Sequence, residues 1–479
     1  MVLGARWLLN EGAKGAILNW KARAAISAVF SLGVVGVLGL GPKSSLKGEN
    51  SVSAPQSKKS ENRPAEASDD FFRKISAELK EKATGVAVAV IDLDRLDANI
   101  DAVRNRVRPP FRLRIVEKSL PSLELLDQVL SRAQTNRLMA FHAQRVPQIL
   151  KYFKAKTGRD CSLDILFGKP IPVRSAEALL VEHPESHLCV TWLIDSNRRL
   201  QDYLILARRL ELPLQLSLEI DVGIRRGGFD QIKDFEEALR VIQRESELLH
   251  FAGLMGYDGH VPKTPSFLGW GGLDAHRRTL KRVVLSYRDF YAKAREVLNP
   301  QVSTWDHLVF NSGGSRTYAL YEAIGDFKPI NDLALGSGFV MPSDFSDDTL
   351  SAHQPALWLA SPILKKLKTR PLPFLEPVWG LISRLLPQVE QGYVLYGGGY
   401  FSKMVAPSTV RPSWFYGLDG KNILSNQTLV NSRADAGLEE GDFVFFEPRE
   451  GDALSLFQTI YCVRAGRIVD QWKPFQVLN

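Results

Sequence analysis

Four short segments of this chain carry residue types that do chemistry, and each follows a strand-like run. The first is Lys118, which closes FRLRIVEKS just before a helix-like stretch. An amine at the carboxyl end of a barrel strand forms a Schiff base with a carbonyl when its site favours the free base. The second is EIDVGIRRGGF, with Glu219, Asp221, Gly223, Arg225, Arg226 and Gly227. The third is GYDGH, with Tyr257, Asp258 and His260, and the fourth is NSGGSRTY, with Ser312, Gly313, Gly314, Ser315 and Thr317. The fourth opens the helical run RTYALYEAIG, so its backbone N–H groups suit a phosphate.

Each segment alone has an ordinary structural reading. Most lysines sit in water, a strand-end arginine is usually a salt-bridge partner, and a Ser-Gly-Gly-Ser turn is often only a capped loop. Together and in this order they supply an amine, a buried cation, an aromatic–imidazole pair and a phosphate cradle. Pyridoxal 5'-phosphate needs such a set: a lysine for its aldehyde, a partner for its ring nitrogen and a site for its phosphate.

These segments need a scaffold that brings strand ends together. From about 85 to 340, short apolar runs alternate with helical patterns: VAVAVIDL, RLRIVE, RLMAF, DILFG, HLCVTWLI, LQLSLEID, FAGLMGYD, HLVFNSG and a run before Ala334-Leu335-Gly336. Eight or nine such units predict an α/β fold, a (β/α)8 TIM-type barrel over 71–345, with its site at the carboxyl ends of the strands. No early GxGxxG turn favours a dinucleotide-binding sheet. After 345 the texture changes. GYVLYGGGYFSK, GDFVFFEPRE, LFQTIYCVRAG and RIVDQWKPF alternate with turn signals and predict a C-terminal antiparallel β domain over 346–479. A Pro-rich insertion, Lys365 to Gln388, interrupts it as a packed arm or a membrane-surface contact.

The N-terminal segment 1–41 contains AAISAVFSLGVVGVLGLG, an uncharged run from Ala24 to Gly41. At about 18 residues, roughly 27 Å of helix, it is near the lower limit for spanning a bilayer. The expectation is an uncleaved membrane anchor. A cleaved secretory signal and an incidental apolar helix are the competing readings, and basic residues on both flanks leave the orientation open. Residues 42–70, rich in Ser, Lys, Glu and Pro, read as a disordered tether. Net charge is +8 with 24% charged residues. With no basic–aromatic stripe and no zinc-finger spacing, nucleic acid is not an expected partner. Cys161, Cys189 and Cys462 are scattered and odd in number, which indicates no disulfide framework.

The ordered set IDLDRLDANI, Lys118, EIDVGIRRGGF, YDGH, SGGSRT and LGSGFV resembles the D-threonine aldolase and D-serine dehydratase-like enzymes, which belong to the alanine-racemase-like (fold type III) class of pyridoxal-phosphate proteins. The resemblance runs from about 85 to 479. It implies an N-terminal barrel, a C-terminal β domain and a homodimer. It makes Lys118 the Schiff-base lysine, although the family's Arg-x-His-x-Lys lead-in is Arg114-Ile115-Val116-Glu117-Lys118 here. Arg226 matches the arginine facing the pyridine nitrogen, which a guanidinium leaves largely unprotonated. Tyr257 and His260 match residues near the cofactor, with roles in catalysis. Ser312, Gly313, Gly314 and Ser315, with Gly336 and Ser337, match the phosphate-binding loops, and Phe339 stands where the family often has Tyr.

Many members also bind a divalent ion through a His-x-Cys or His-x-Asp pair in the C-terminal domain. This chain has no histidine after His353, and the matching stretch is Pro448-Arg449-Glu450-Gly451-Asp452. On a strand, Glu450 and Asp452 would face one side. Two carboxylates suit Mg2+ or Mn2+ better than Zn2+, and a solvated turn is the plainer reading. The expected function is a lyase acting on a small-molecule substrate, a 3-hydroxy D-amino acid, by aldolase or dehydratase chemistry. An amino-acid racemase is the alternative within the enzyme class. Outside it stands a non-catalytic cofactor carrier or tethered scaffold.

Overall fold

The computed structural model describes residues 67–265, 272–299, 302, 304–345, 348–368, 376–385, 391–397, 400–412, 426–432 and 436–475. The chain divides into two units, one of residues 1–58 with 370–386 and one of 59–369 with 387–479. In the first, a 3-10 turn (Glu376–Val378) leads into a short helix, Trp379–Leu385. The apolar run 24–41 and the tether up to residue 66 lie outside the described residues. Among the described residues no helix is long and apolar enough to cross a membrane.

In the larger unit, α1 (Asp69–Lys82) starts at Ser68, whose hydroxyl caps the Phe71 amide. Its buried Phe72, Ile75 and Leu79 lie three and four residues apart, on one face, and pack on a β sheet. Burying each such side chain contributes about 1.5–3 kcal/mol. Strand β1 (Val88–Asp92) follows, then α2 (Leu93–Arg106), capped by the Asp92 carboxylate.

Eight parallel strands then close into a barrel: β2 (Arg112–Val116), β3 (Arg137–Ala140), β4 (Asp164–Phe167), β5 (Val190–Ile194), β6 (Leu214–Glu219), β7 (Leu249–Met255), β8 (Val309–Ser312) and β9 (Asp332–Leu335). Closure pairs Arg112 with Asp332 and Ile115 with Leu335. The strands are buried almost throughout because helices cover their outer face. These helices are α3 (Leu123–Ala133), α4 (Val146–Thr157), α5 (Val173–Glu182), α6 (Asn197–Leu210), α7 (Ile232–Arg244), α8 (Leu273–Leu298) and α9 (Tyr318–Ile324). As all eight strands run the same way, every βα loop opens on one rim.

The barrel interior is not wholly apolar. Arg114 is fully buried; its Nε donates to Asp332 Oδ1 at 2.9 Å and its Nη1 to Asp164 Oδ1 at 3.0 Å. Arg137 joins both carboxylates. Burial works against an ionised Asp164, but Arg114 and Arg137 outweigh it and hold the carboxyl below its usual range.

The remaining strands are β10 (Leu357–Lys368), β11 (Gln391–Tyr396), β12 (Ser402–Ala406), β13 (Val410–Pro412), β14 (Gln427–Ser432), β15 (Phe443–Pro448), β16 (Ile460–Arg464) and β17 (Arg467–Trp472). They form a sheet ordered β13-β14-β11-β10-β1-β16-β17, with β15 pairing β10 and β12. Two expectations are corrected here. The VAVAVIDL run is not a barrel strand: β1 pairs antiparallel with β10 and parallel with β16. Cys161 and Cys189 form a disulfide across 28 residues of sequence, and Cys462 is free and buried. Those two cysteines precede neighbouring strands, where the Ile165 amide donates to the Cys189 carbonyl at 2.8 Å.

Candidate active site

The four segments lie on an unbroken arc of the rim, because β6, β7, β8, β9 and β2 are consecutive around the barrel. Lys118 sits in a 3-10 turn, Glu117–Ser119, directly after β2. The turn is anchored by Glu117, fully buried and bonded to the Arg145 guanidinium and the Phe141 amide. Burial favours its neutral form, but His142 and Arg145 prevail and keep it ionised below the usual carboxylate range. The Lys118 amine lies 5.8 Å from the Phe141 ring centre and 3.3 Å from Asp452 Oδ2.

After β6, residues 221–229 make a closed loop in which Ile220 bridges Phe229. Asp221 Oδ1 accepts from the amides of Gly223 and Arg225, and Gly223, Gly227 and Gly228 take φ of +114°, +140° and +87°. A side chain at 228 would put its Cβ 2.8 Å from the Glu219 carbonyl oxygen, so glycine lets the loop close. The Arg226 guanidinium lies over the Tyr257 ring at 4.9 Å. Arg226 is exposed, not the buried cation expected from sequence. The Tyr257 phenol is pushed up by burial and by neighbouring Asp258, so it is a donor at neutral pH. Burial lowers His260, which is therefore neutral there; among the described residues its Nδ1 is buried without a partner, and its Nε2 faces Gly223.

Asp258 is the residue whose importance the sequence did not show. Fully buried, it accepts from Thr317 Oγ1 at 3.0 Å and from the Tyr321 hydroxyl at 2.8 Å. Tyr321 also lies 2.8 Å from Ser312 Oγ, which donates to the Gly256 carbonyl at 2.6 Å. The Ser312 hydroxyl is thus spent beneath the rim. Ser315 Oγ accepts from the Gly338 amide at 2.8 Å, and Ser337 Oγ is 2.9 Å from Ser119 Oγ. Gly336 lies where a Cβ would come 2.9 Å from Val116 Cβ, and Gly313 has φ of +82°. Phe339 is fully buried.

Glu450 and Asp452 do not alternate along a strand. Strand β15 ends at Pro448, Glu450 caps a 3-10 helix (Gly451–Leu456), and Asp452 is paired with Lys118. Among the described residues no group of three or more His, Cys, Asp or Glu is placed to hold a metal ion.

The donor set fits pyridoxal phosphate. An amine stands on the β2 rim, a guanidinium over an aromatic face on the β6–β7 rim, and a glycine loop between them on β8, where a Cβ on Gly314 would reach the Tyr257 ring at 3.4 Å. Ser312 donates to the Gly256 carbonyl, whereas Ser315 Oγ only accepts, from the Gly336 and Gly338 amides, so its own proton can serve an anion alongside backbone amides of the β8 loop.

Residues 91–284 match the profile of the alanine racemase N-terminal domain. The fold is shared with D-threonine aldolase from Filomicrobium marinum at a TM-score of 0.61 and 15% identity, covering 81% of this chain and 96% of that one. D-threo-3-hydroxyaspartate dehydratase from Delftia sp. HT23 gives 0.59 at 15% identity, with 83% and 99% covered. Alanine racemase from Clostridium difficile 630 gives 0.58 at 14%, with 83% and 100% covered. No curated protein matches the sequence. The chain therefore shares its fold with these three enzymes, an eight-stranded parallel barrel joined to a β sheet.

Proposed function

We propose that this protein is a pyridoxal-phosphate-dependent enzyme of D-amino acids, a lyase that cleaves or dehydrates a 3-hydroxy substrate. The observation that carries this reading is the placement of Lys118, Arg226, Tyr257 and the Ser312–Ser315 loop on one arc of five neighbouring strand ends. The bound cofactor supplies the electron withdrawal that loosens bonds at an amino acid's α-carbon. Lys118 holds the cofactor and, once freed, moves a proton at that carbon. Arg226 would hold the ring nitrogen, and because a guanidinium gives up no proton the ring would be the weaker electron sink. Tyr257 donates from its phenol, and neutral His260 has one ring nitrogen to offer. Glycine-loop amides hold the phosphate.

Racemisation is the second reading, favoured by the shared fold with an alanine racemase. It needs an acid–base group on each face of the substrate, and Lys118 serves one. The proposal includes a homodimer and a membrane anchor at 24–41, on a side of the membrane left undefined.

The test is incubation of the cofactor-loaded protein with D-serine, D-threonine and D-alanine, with and without EDTA. Pyruvate from D-serine, or glycine with acetaldehyde from D-threonine, is the expected result. Enantiomer exchange instead would establish the racemase. Turnover of none of them would leave a carrier and sink the lyase reading.

A further inference from the structure

Asp452 reaches the Lys118 amine from the β domain, and two other contacts fix it there. Gly451, beside it, packs on the Lys118 turn so closely that a Cβ would fall 3.0 Å from Ser119 Cβ. The Asp452 Oδ1 accepts from Ser119 Oγ at 3.3 Å, and that hydroxyl lies 2.9 Å from Ser337 Oγ. The carboxylate is therefore held independently of the lysine, while its Oδ2 sits 3.3 Å from Lys118 Nζ.

The two side chains are 39% and 44% exposed, and an ion pair so open to water contributes little to folding. Its larger effect is on orientation. A lysine side chain has many rotamers, and a partner fixed on the opposite domain removes most of them. The Phe141 ring, 5.8 Å from the amine, bounds the remaining freedom.

We propose that Asp452 is a positioning residue for Lys118, holding the cofactor-free side chain, as its ammonium, at the barrel mouth between its own carboxylate and Phe141. This rests on the reading of Lys118 as the cofactor lysine. The orientation it imposes sets how fast the amine captures the cofactor aldehyde, and it leaves the stability of the fold nearly unchanged.

The first measurement needs no cofactor. Reductive 13C-methylation of the cofactor-free full chain gives a Lys118 resonance, identified by its loss in Lys118→Arg. That resonance should stand apart from the bulk lysine signals in the wild type and merge with them in Asp452→Asn. On unmethylated protein, growth of the visible cofactor band after adding pyridoxal phosphate should slow on the order of tenfold in Asp452→Asn, the scale of a misaimed reacting group. Asp452→Glu should recover part of that rate, and both variants should melt like the wild type. A Lys118 resonance unmoved in Asp452→Asn would overturn the pairing. A moved resonance with an unchanged capture rate would overturn the positioning role. A wild type that never develops the band would sink the proposed function instead, while the resonance comparison still decides the ion pair.

Discussion

The Tyr321 hydroxyl lies 2.8 Å from Asp258 Oδ2 and 2.8 Å from Ser312 Oγ, which donates onward to the Gly256 carbonyl. With Asp258 protonated, every proton in this chain has a place: Asp258 to Tyr321, Tyr321 to Ser312, Ser312 to Gly256. With Asp258 ionised, Tyr321 must turn its proton to the carboxylate, and its contact with Ser312 holds none. Burial, eased by the Tyr321 and Thr317 bonds, pushes the Asp258 carboxyl up to about 6 from 3.8.

A raised folded-state pKa stabilises the fold at low pH, so this contribution is complete below 3.8 and is lost as pH rises through about 6. Relative to Asp258→Asn, the wild type should lose roughly 3 kcal/mol of stability across that window. Urea unfolding of both proteins over the pH range is the measurement. Parallel curves would show that Asp258 does not titrate as the geometry requires.

His353 has the opposite sign. Its Nδ1 donates to the Gly338 carbonyl at 2.8 Å, so its Nε2 accepts from Tyr318 at 2.7 Å, and that arrangement needs the neutral ring. Burial lowers its pKa from 6.5 to about 4. Its contribution is present above 6.5 and lost as pH falls through about 4, on the order of 3 kcal/mol in all. His353→Gln should flatten the acid side of the stability profile. An unchanged acid limb would refute the assignment.

Asp332→Ala would leave a fully buried guanidinium with one carboxylate partner, Asp164, besides the Leu138 and Asp164 carbonyls. Loss of one member of such a pair costs about 3–5 kcal/mol. Chemical denaturation should show that loss. A cost under about 1 kcal/mol would mean that Arg114 relaxes to water or another acceptor.

The strand runs from RLRIVE to the one before Gly336 were legible because a barrel strand covered by helices is mostly apolar and each is followed by a turn signal. VAVAVIDL carried the same local signal, yet its partners are Leu357–Ala360 and Ile460–Val463, hundreds of residues away. Local pattern does not choose between two sheets. The Cys161–Cys189 pair was hidden for the same reason. At the site, residue types and order placed Lys118, Arg226, Tyr257 and the glycine loop on neighbouring rims, but not the direction of each side chain. Ser312 points inward to Tyr321, Arg226 is exposed, and the Glu450–Asp452 stretch turns into a 3-10 helix. Asp258 could have drawn notice as an acid between a strand-end Tyr and Gly, but only its burial shows what it does.

Covalent trapping decides whether Lys118 carries the cofactor. Pyridoxal phosphate is added to wild type and Lys118→Ala, the visible band recorded, the complex reduced with borohydride and the labelled peptide identified by mass spectrometry. The expected result is a band and a single label on Lys118 in the wild type, and neither in a folded Lys118→Ala. A band retained in the variant, or a label on any other lysine, would contradict it.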